Sequence, residues 1–173
     1  TEADAVFCGF QTWGSGKGDK QTFGYHKKDD CGYLCVSGAD NDKILITSGG
    51  QQAIDLSAKA FLNPGEGLIC EEPSFIGALN AFRTYEAKLY GVPLYEDGLD
   101  TDILEEKLKN NKDIKVLYII PTFQNPAGIT TTLEKRIKIL EICKKYNITI
   151  IEDNPYGELR FAGEDVPTLK ELD

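Results

Sequence analysis

Two short runs of β-branched and aliphatic residues organise the second half of the chain. Val116 to Ile120 is too short for a helix and apolar on both faces, as a strand buried on both sides would be. Ile148 to Ile151 answers it later. Each run ends abruptly in polar and turn-forming residues: Pro121-Thr122-Phe123-Gln124-Asn125-Pro126-Ala127-Gly128 after the first, Glu152-Asp153-Asn154-Pro155-Tyr156 after the second. Between them Thr132 to Tyr146 has helical spacing, with Leu133, Ile137, Leu140 and Cys143 on one stripe and Lys and Glu elsewhere. That makes one βαβ unit whose polar residues stand just past the strand ends, the place where open parallel sheets bind ligands.

The same alternation starts at residue 43. Lys43 to Thr47 reads as a strand, Ser48-Gly49-Gly50 as a tight turn, and Gln51 to Leu62 as an amphipathic helix. Ala53, Ile54, Leu56, Ser57, Ala60 and Phe61 supply its inner side, and Asn63-Pro64-Gly65 stops it. Leu68 to Glu72 is a second strand, closed by Pro73, and Ser74 is placed to N-cap a helix from Phe75 to Thr84. A strand near Lys88 to Pro93 leads to Asp100-Thr101-Asp102, which caps a helix from Ile103 to Lys109. Strands alternating with helices predict an α/β fold with a mainly parallel sheet, helices on both faces and right-handed connections.

Residues 1–42 keep neither a period of two nor one of 3.6, and they are expected to form a poorly defined segment. Gly14-Ser15-Gly16-Lys17-Gly18 invites a phosphate-loop reading that the spacing refuses. A Walker loop needs glycine where Gln11 stands and Ser or Thr where Gly18 stands, so a flexible loop is expected. The single histidine, His26, has no partner motif and is expected at the surface.

Composition narrows the function. A net charge of -9 argues against binding naked nucleic acid or an anionic membrane, since both need a basic surface. No apolar run approaches the length of a membrane span, and no signal-peptide pattern opens the chain. The five cysteines are dispersed at 8, 31, 35, 70 and 143. Cys31 and Cys35 alone make a poor zinc site, so no metal is expected, and a reducing, cytoplasmic setting fits best. The chain has no Met and opens on Thr1, and it reads as a piece of something longer.

Three groups of residues converge on one rim of such a sheet. Ser48-Gly49-Gly50-Gln51 presents backbone N–H groups at a helix start, where unpaired donors and the helix dipole favour an anion, best a phosphate, although Gly-Gly before a helix is often only a turn. Phe75 adds an aromatic ring, which ordinary core packing would also explain. Asn125, Asp153 and Tyr156 stand at the last two turns, and a carboxylate there is costly unless a cation or donors meet it. Pro126 and Pro155 stiffen the backbone around them. Together these residues match a phosphorylated aromatic heterocycle whose ring nitrogen carries a proton.

Residues 43–173 resemble the aminotransferase class I/II family, fold type I of the pyridoxal-phosphate enzymes. Within it they are most similar to the 2-aminoadipate and kynurenine aminotransferase branch shared with MocR-type regulators. The motifs that carry the resemblance are Ile46-Thr47-Ser48-Gly49-Gly50-Gln51-Gln52-Ala53, Glu72-Pro73-Ser74-Phe75, Pro121 to Gly128 and Glu152 to Tyr156, in that order. The resemblance implies a three-layer α/β sandwich, with residues 43–173 as a partial large, cofactor-binding domain. It implies pyridoxal 5'-phosphate as cofactor, amino acid and 2-oxo acid substrates, no nucleic acid or membrane partner, and a homodimer of the full-length protein.

By the same resemblance Gly50 and Gln51 would hold the cofactor phosphate and Phe75 would stack on the pyridine ring. Asn125 and Tyr156 would hydrogen-bond the phenolic oxygen, and Asp153, the catalytic residue, would pair with the protonated ring nitrogen. The family's Schiff-base lysine, in a Ser-x-Ser-Lys-like segment, has no counterpart here, because Lys170 lies in a stretch that resembles the preceding segment. The chain alone is therefore expected to be inactive. The family's Tyr…Gly…Leu-Arg pattern is also missing from residues 1–42, so substrate-side residues are not carried over. The resemblance further places two strands beyond Asp173, seated between the strand at 43–47 and the rest of the sheet. The isolated chain is thus expected to expose unpaired strand edges and to need completion by another segment. Two other readings are an effector-binding domain of a MocR-type regulator, marked by a basic winged-helix region upstream, and a fragment that binds cofactor or a partner without catalysis.

Overall fold

A computed structural model of the chain describes residues 5–10, 32–36 and 43–173, with side chains from Thr47 onward except that of Glu158. The glycine-rich stretch at 14–18, His26 and the side chains of Cys8, Cys31 and Cys35 lie outside the described residues.

Among the described residues eight strands form one sheet. In chain order they are β1 (Ala5–Phe10), β2 (Gly32–Val36), β3 (Lys43–Ile46), β4 (Gly67–Glu72), β5 (Lys88–Tyr95), β6 (Gly98–Leu99), β7 (Ile114–Ile119) and β8 (Thr149–Asp153). Their spatial order is β3-β2-β1-β8-β7-β4-β5-β6. From β1 through β8, β7 and β4 to β5 every pairing is parallel, while β2 runs antiparallel to both neighbours and β6 antiparallel to β5. The helices are α1 (Gly50–Phe61), α2 (Ile76–Thr84), α3 (Thr101–Asn110), α4 (Leu133–Tyr146) and the single turn α5 (Leu169–Leu172).

The pleat sorts side chains into two cores. Leu68 and Cys70 of β4, Val116 and Tyr118 of β7 and Ile151 of β8 face α1 and α2. Ile69, Leu117, Ile119 and Ile150 face α3, α4 and α5. Alternation along fully buried strands produces this division, since successive residues point to opposite sheet faces. The result is a helix–sheet–helix sandwich, as the strand–helix pattern predicts.

Five expectations need correction. Residues 5–10 and 32–36 are strands despite their lack of a clear period, because cross-strand pairing supplies what local pattern does not. They fill the places between β3 and β8, so β3 is paired by β2 and not left without neighbours. Ser74 does not cap α2: the N-cap is Phe75, no side chain caps it, and Ser74 Oγ is buried without a partner. The inner face of α4 is also rotated from the expected stripe. Arg136, Ile139, Leu140, Ile142 and Cys143 are buried, whereas Leu133 and Ile137 are each 44% exposed. In α1 the buried set is Ala53, Ile54, Ser57 and Ala58, with Ala60 outside. The expected cap at Asp100 is present, its Oδ1 accepting from the N–H groups of Asp102 at 2.9 Å and Ile103 at 3.0 Å.

Candidate cofactor site

The site is built at the C-terminal rim of the parallel strands. After β3 the chain turns at Gly49, whose φ of +87° is open to glycine at no steric cost, and enters α1 without any side-chain cap or acidic residue in the first turn. The helix start is therefore left electropositive. Gln51 Nε2 donates to the carbonyl of Gly77 at 3.1 Å, tying the beginning of α1 to the beginning of α2. Gly77 is required there: a Cβ at that position would run into the Phe75 ring.

The strands β7 and β8 deliver the other half. Beyond β7 the chain folds back on itself through Gln124 N–H to Ile129 O at 2.8 Å and Thr131 N–H to Pro121 O at 2.8 Å. Asn125 projects from this loop and its Nδ2 donates to the Tyr156 hydroxyl at 3.4 Å. Asp153 ends β8, 7% exposed, and Tyr118 of β7 donates its O–H to Asp153 Oδ2 at 2.6 Å. Burial pushes the Asp153 carboxyl up to about 6, while the Tyr118 hydrogen bond pulls it down by favouring the ionised form.

All six residues singled out from the sequence line one cavity of about 360 Å³: Gly50, Gln51, Phe75, Asn125, Asp153 and Tyr156. Ile54, Ile120, Pro155 and Leu159 complete its wall. One end of this hollow is the start of a helix and another part is a buried carboxylate, with a flat ring and two neutral hydrogen-bonding groups between. Such a donor set suits a molecule that is anionic at one point and cationic at another. A shallower hollow of about 590 Å³ adjoins it and shares Asn125, Tyr156 and Leu159. Phe123 belongs to its wall, and the Arg160 guanidinium lies 4.8 Å from that ring's centroid.

Sequence reasoning missed the supports beneath these residues. Gln124 Nε2 donates to Glu71 Oε2 at 3.1 Å and to the Pro73 carbonyl at 2.8 Å, while its Oε1 accepts from Ala127 N–H at 2.8 Å. Asn125 is thereby braced from the residue before it. Burial drives Glu71 up to about 8, against the pull of the Ile120 N–H and the Gln124 amide, with the Asp153 charge adding to the rise. Arg136 is fully buried and spends its guanidinium on Thr131 O, Pro121 O, Thr122 Oγ1, Val166 O and Pro167 O. It clamps the Asn125 loop to the segment leading into α5. Glu152 in turn accepts from Leu169 N–H at 2.9 Å and Lys170 N–H at 3.0 Å, fixing α5 to the strand that carries Asp153. Glu71 and Glu152, each directly after a run of apolar residues, were the available signal, whereas Arg136 stands among Glu134, Lys135 and Lys138 and no local pattern marks it.

Among the described residues no helix is long and apolar enough to cross a membrane. Comparison with known proteins gives one consistent relationship. Aromatic-amino-acid aminotransferase 1 of Thermococcus litoralis is 47% identical over 134 residues, which cover 75% of this chain and 32% of that protein. The crystal structure of Pyrococcus horikoshii kynurenine aminotransferase in complex with PMP, with KYN as substrate and KYA as product, superposes with a TM-score of 0.75 at 45% identity. That match covers 78% of this chain and 34% of that one. A helix-turn-helix transcriptional regulator of Escherichia coli, YdcR, is 36% identical over 124 residues, covering 71% of this chain and 26% of the regulator. The chain thus spans about a third, or less, of the length of these relatives. The family model described as aminotransferase class I and II matches residues 33–173, and the chain belongs to that family.

Proposed function

We propose that this chain is the cofactor-binding part of a pyridoxal-phosphate-dependent aminotransferase, which exchanges an amino group between an amino acid and a 2-oxo acid. The observation that carries the reading is the convergence of Gly50, Gln51, Phe75, Asn125, Asp153 and Tyr156 on a single cavity. Its donor set fits the cofactor's chemistry: an uncapped helix start for the phosphate, a ring for the pyridine face, an amide and a phenol for the phenolic oxygen, and a buried carboxylate for the ring nitrogen. When bound, pyridoxal phosphate supplies an electron sink for the electrons left at the substrate Cα. Asp153 would hold the proton on the ring nitrogen, which keeps the ring cationic. Asn125 and Tyr156 would orient the ring in its plane, and Ile54 and Ile120 would keep water from one side. The greater identity to the aminotransferase than to the regulator favours this reading over an effector-sensing domain. The cytoplasmic setting and the homodimer of the whole protein belong to the same proposal and rest on the family resemblance.

Titration of the chain with pyridoxal phosphate and pyridoxamine phosphate, followed by absorbance and calorimetry, tests it. Saturable binding is expected, about tenfold weaker in Phe75→Ala through loss of ring contact. Asp153→Ala should impair amino transfer in the full-length protein more than it impairs cofactor retention. Wild-type chain that leaves both compounds free at millimolar concentration would sink the proposal.

A further inference from the structure

Tyr118 is the largest fully buried side chain of β7, with its ring edge against Phe82 at a centroid separation of 5.3 Å and an interplanar angle of 64°. A phenol in such a place must give its O–H to a partner or lose the hydrogen bond it had in water. Strand register supplies that partner. Tyr118 lies opposite Ile151 in the parallel pairing of β7 with β8. Asp153 is two residues further along β8, on the same sheet face and nearer the rim. The 2.6 Å contact from the Tyr118 hydroxyl to Asp153 Oδ2 is in the range of a charge-assisted O–H···O⁻ bond.

The groups around Asp153 make this bond matter. The ion pairs Lys88–Asp113, Lys135–Asp97, Lys144–Asp173, Lys145–Glu105 and Arg160–Asp165 lie elsewhere, and the Tyr118 hydrogen bond is what opposes the burial of Asp153. Glu71 at the end of β4 is pushed up to about 8 by its own burial, which favours its neutral acid. Glu152 points to the opposite face, toward the start of α5. Tyr156 faces Asn125, and Gln51 of α1 is neutral and bonded to Gly77. The α1 carboxylate Asp55 accepts from the Tyr85 hydroxyl at 3.2 Å. On β1 the backbone partner of Asp153 is Cys8.

We infer that Tyr118 is a positioning residue of the cofactor site: its phenol O–H holds Asp153 Oδ2 and keeps the carboxylate ionised, leaving the second oxygen for a protonated ring nitrogen in the cavity. The inference rests on the cofactor role proposed for Asp153. Its chemistry is confined to this chain. Burial favours the neutral acid, the phenol favours the carboxylate, and removing the phenol leaves burial unopposed.

The test is a carbon-13 NMR titration of labelled aspartate carboxylates in the wild-type chain and in Tyr118→Phe, with Asp153→Asn to assign the resonance. The Asp153 midpoint should move up by about one pH unit or more in Tyr118→Phe; an unmoved midpoint overturns the inference. Should Tyr118→Phe fail to fold, a ring-fluorinated tyrosine at position 118 keeps the shape and strengthens the donor. The midpoint should then fall, and again no movement overturns the inference.

Pyridoxamine phosphate affinity gives a second readout. It should be several-fold weaker in Tyr118→Phe at about pH 6.5, where only the wild-type carboxylate is mostly ionised, and should converge on the wild-type value at about pH 8.5. An equal loss at both pH values would mean a merely structural role and would overturn the inference. If the wild-type chain binds no pyridoxamine phosphate, the cofactor reading fails, and the NMR titration alone still decides whether Tyr118 sets the Asp153 charge.

Discussion

Asp100 and Asp153 are both aspartates beside structural donors, and their surroundings give them different work. Asp100 is partly exposed and accepts two backbone N–H groups at the head of α3, a role that its place before an amphipathic run makes readable in advance. Asp100→Ala should cost about 1 kcal/mol, seen as a fall of about 2–4 °C in the thermal midpoint, with no change in cofactor affinity. Asp153 stands where a sheet ends, and its sequence neighbours say only that a polar group follows a buried run. Its partner Tyr118 is 35 positions away. Nothing local to either residue marks the contact, because strand register decides which side chains share a face and an end.

At the level of elements, α4 departs most from its pattern. Its apolar residues predict an inner stripe through Leu133 and Ile137, yet the helix turns Arg136 inward. The reason lies in its neighbours: five acceptors from residues 121–122, 131 and 166–167 converge on one guanidinium and outweigh the burial of two aliphatic side chains. Arg136→Met should leave buried carbonyls without donors and lower stability by about 3 kcal/mol or more, measured as the urea midpoint. Arg136→Lys should recover only a minor part, since one ammonium cannot reproduce the planar fork. A wild-type urea midpoint in Arg136→Met would show that the clamp is dispensable. The loop it grips carries Asn125, so the same variant should weaken pyridoxal phosphate binding at temperatures where the fold persists.

At the scale of the whole molecule, three carboxyl groups among the described residues, Glu71, Glu152 and Asp153, are buried near the strand ends. Glu71 is pushed up to about 8, Glu152 to about 7 and Asp153 to about 6, each chiefly by burial. Their folded-state values lie above their unfolded ones, so the native state binds protons more tightly. Stability then falls as pH rises from the ordinary carboxylate range near 4 through about 8, and it is flat above that. The thermal midpoint should be higher at pH 5 than at pH 8 by more than the roughly 2–4 °C that 1 kcal/mol makes in a domain of this size. Scanning calorimetry across that range checks it, and a midpoint that rises with pH would contradict the assignment. This acid preference is the stability cost of gathering carboxylates near the rim proposed to hold the cofactor ring, and a bound cofactor should reduce the dependence by meeting Asp153.

The amino-acid sequence by itself determined the strand–helix alternation, the turns at Gly49 and Asn63-Pro64-Gly65, the cap at Asp100 and six of the residues that line the cavity. Those follow from periods of two and 3.6, from glycine and proline chemistry and from the family motifs, all of which act within a dozen positions of chain. Tertiary structure alone decided the rest: the seating of residues 5–10 and 32–36 between β3 and β8, the inward turn of Arg136, and the pairs Tyr118–Asp153 and Glu71–Gln124, the latter 53 positions apart. Contacts of that span depend on register and on which buried polar groups must find donors, quantities that exist only once the sheet is assembled.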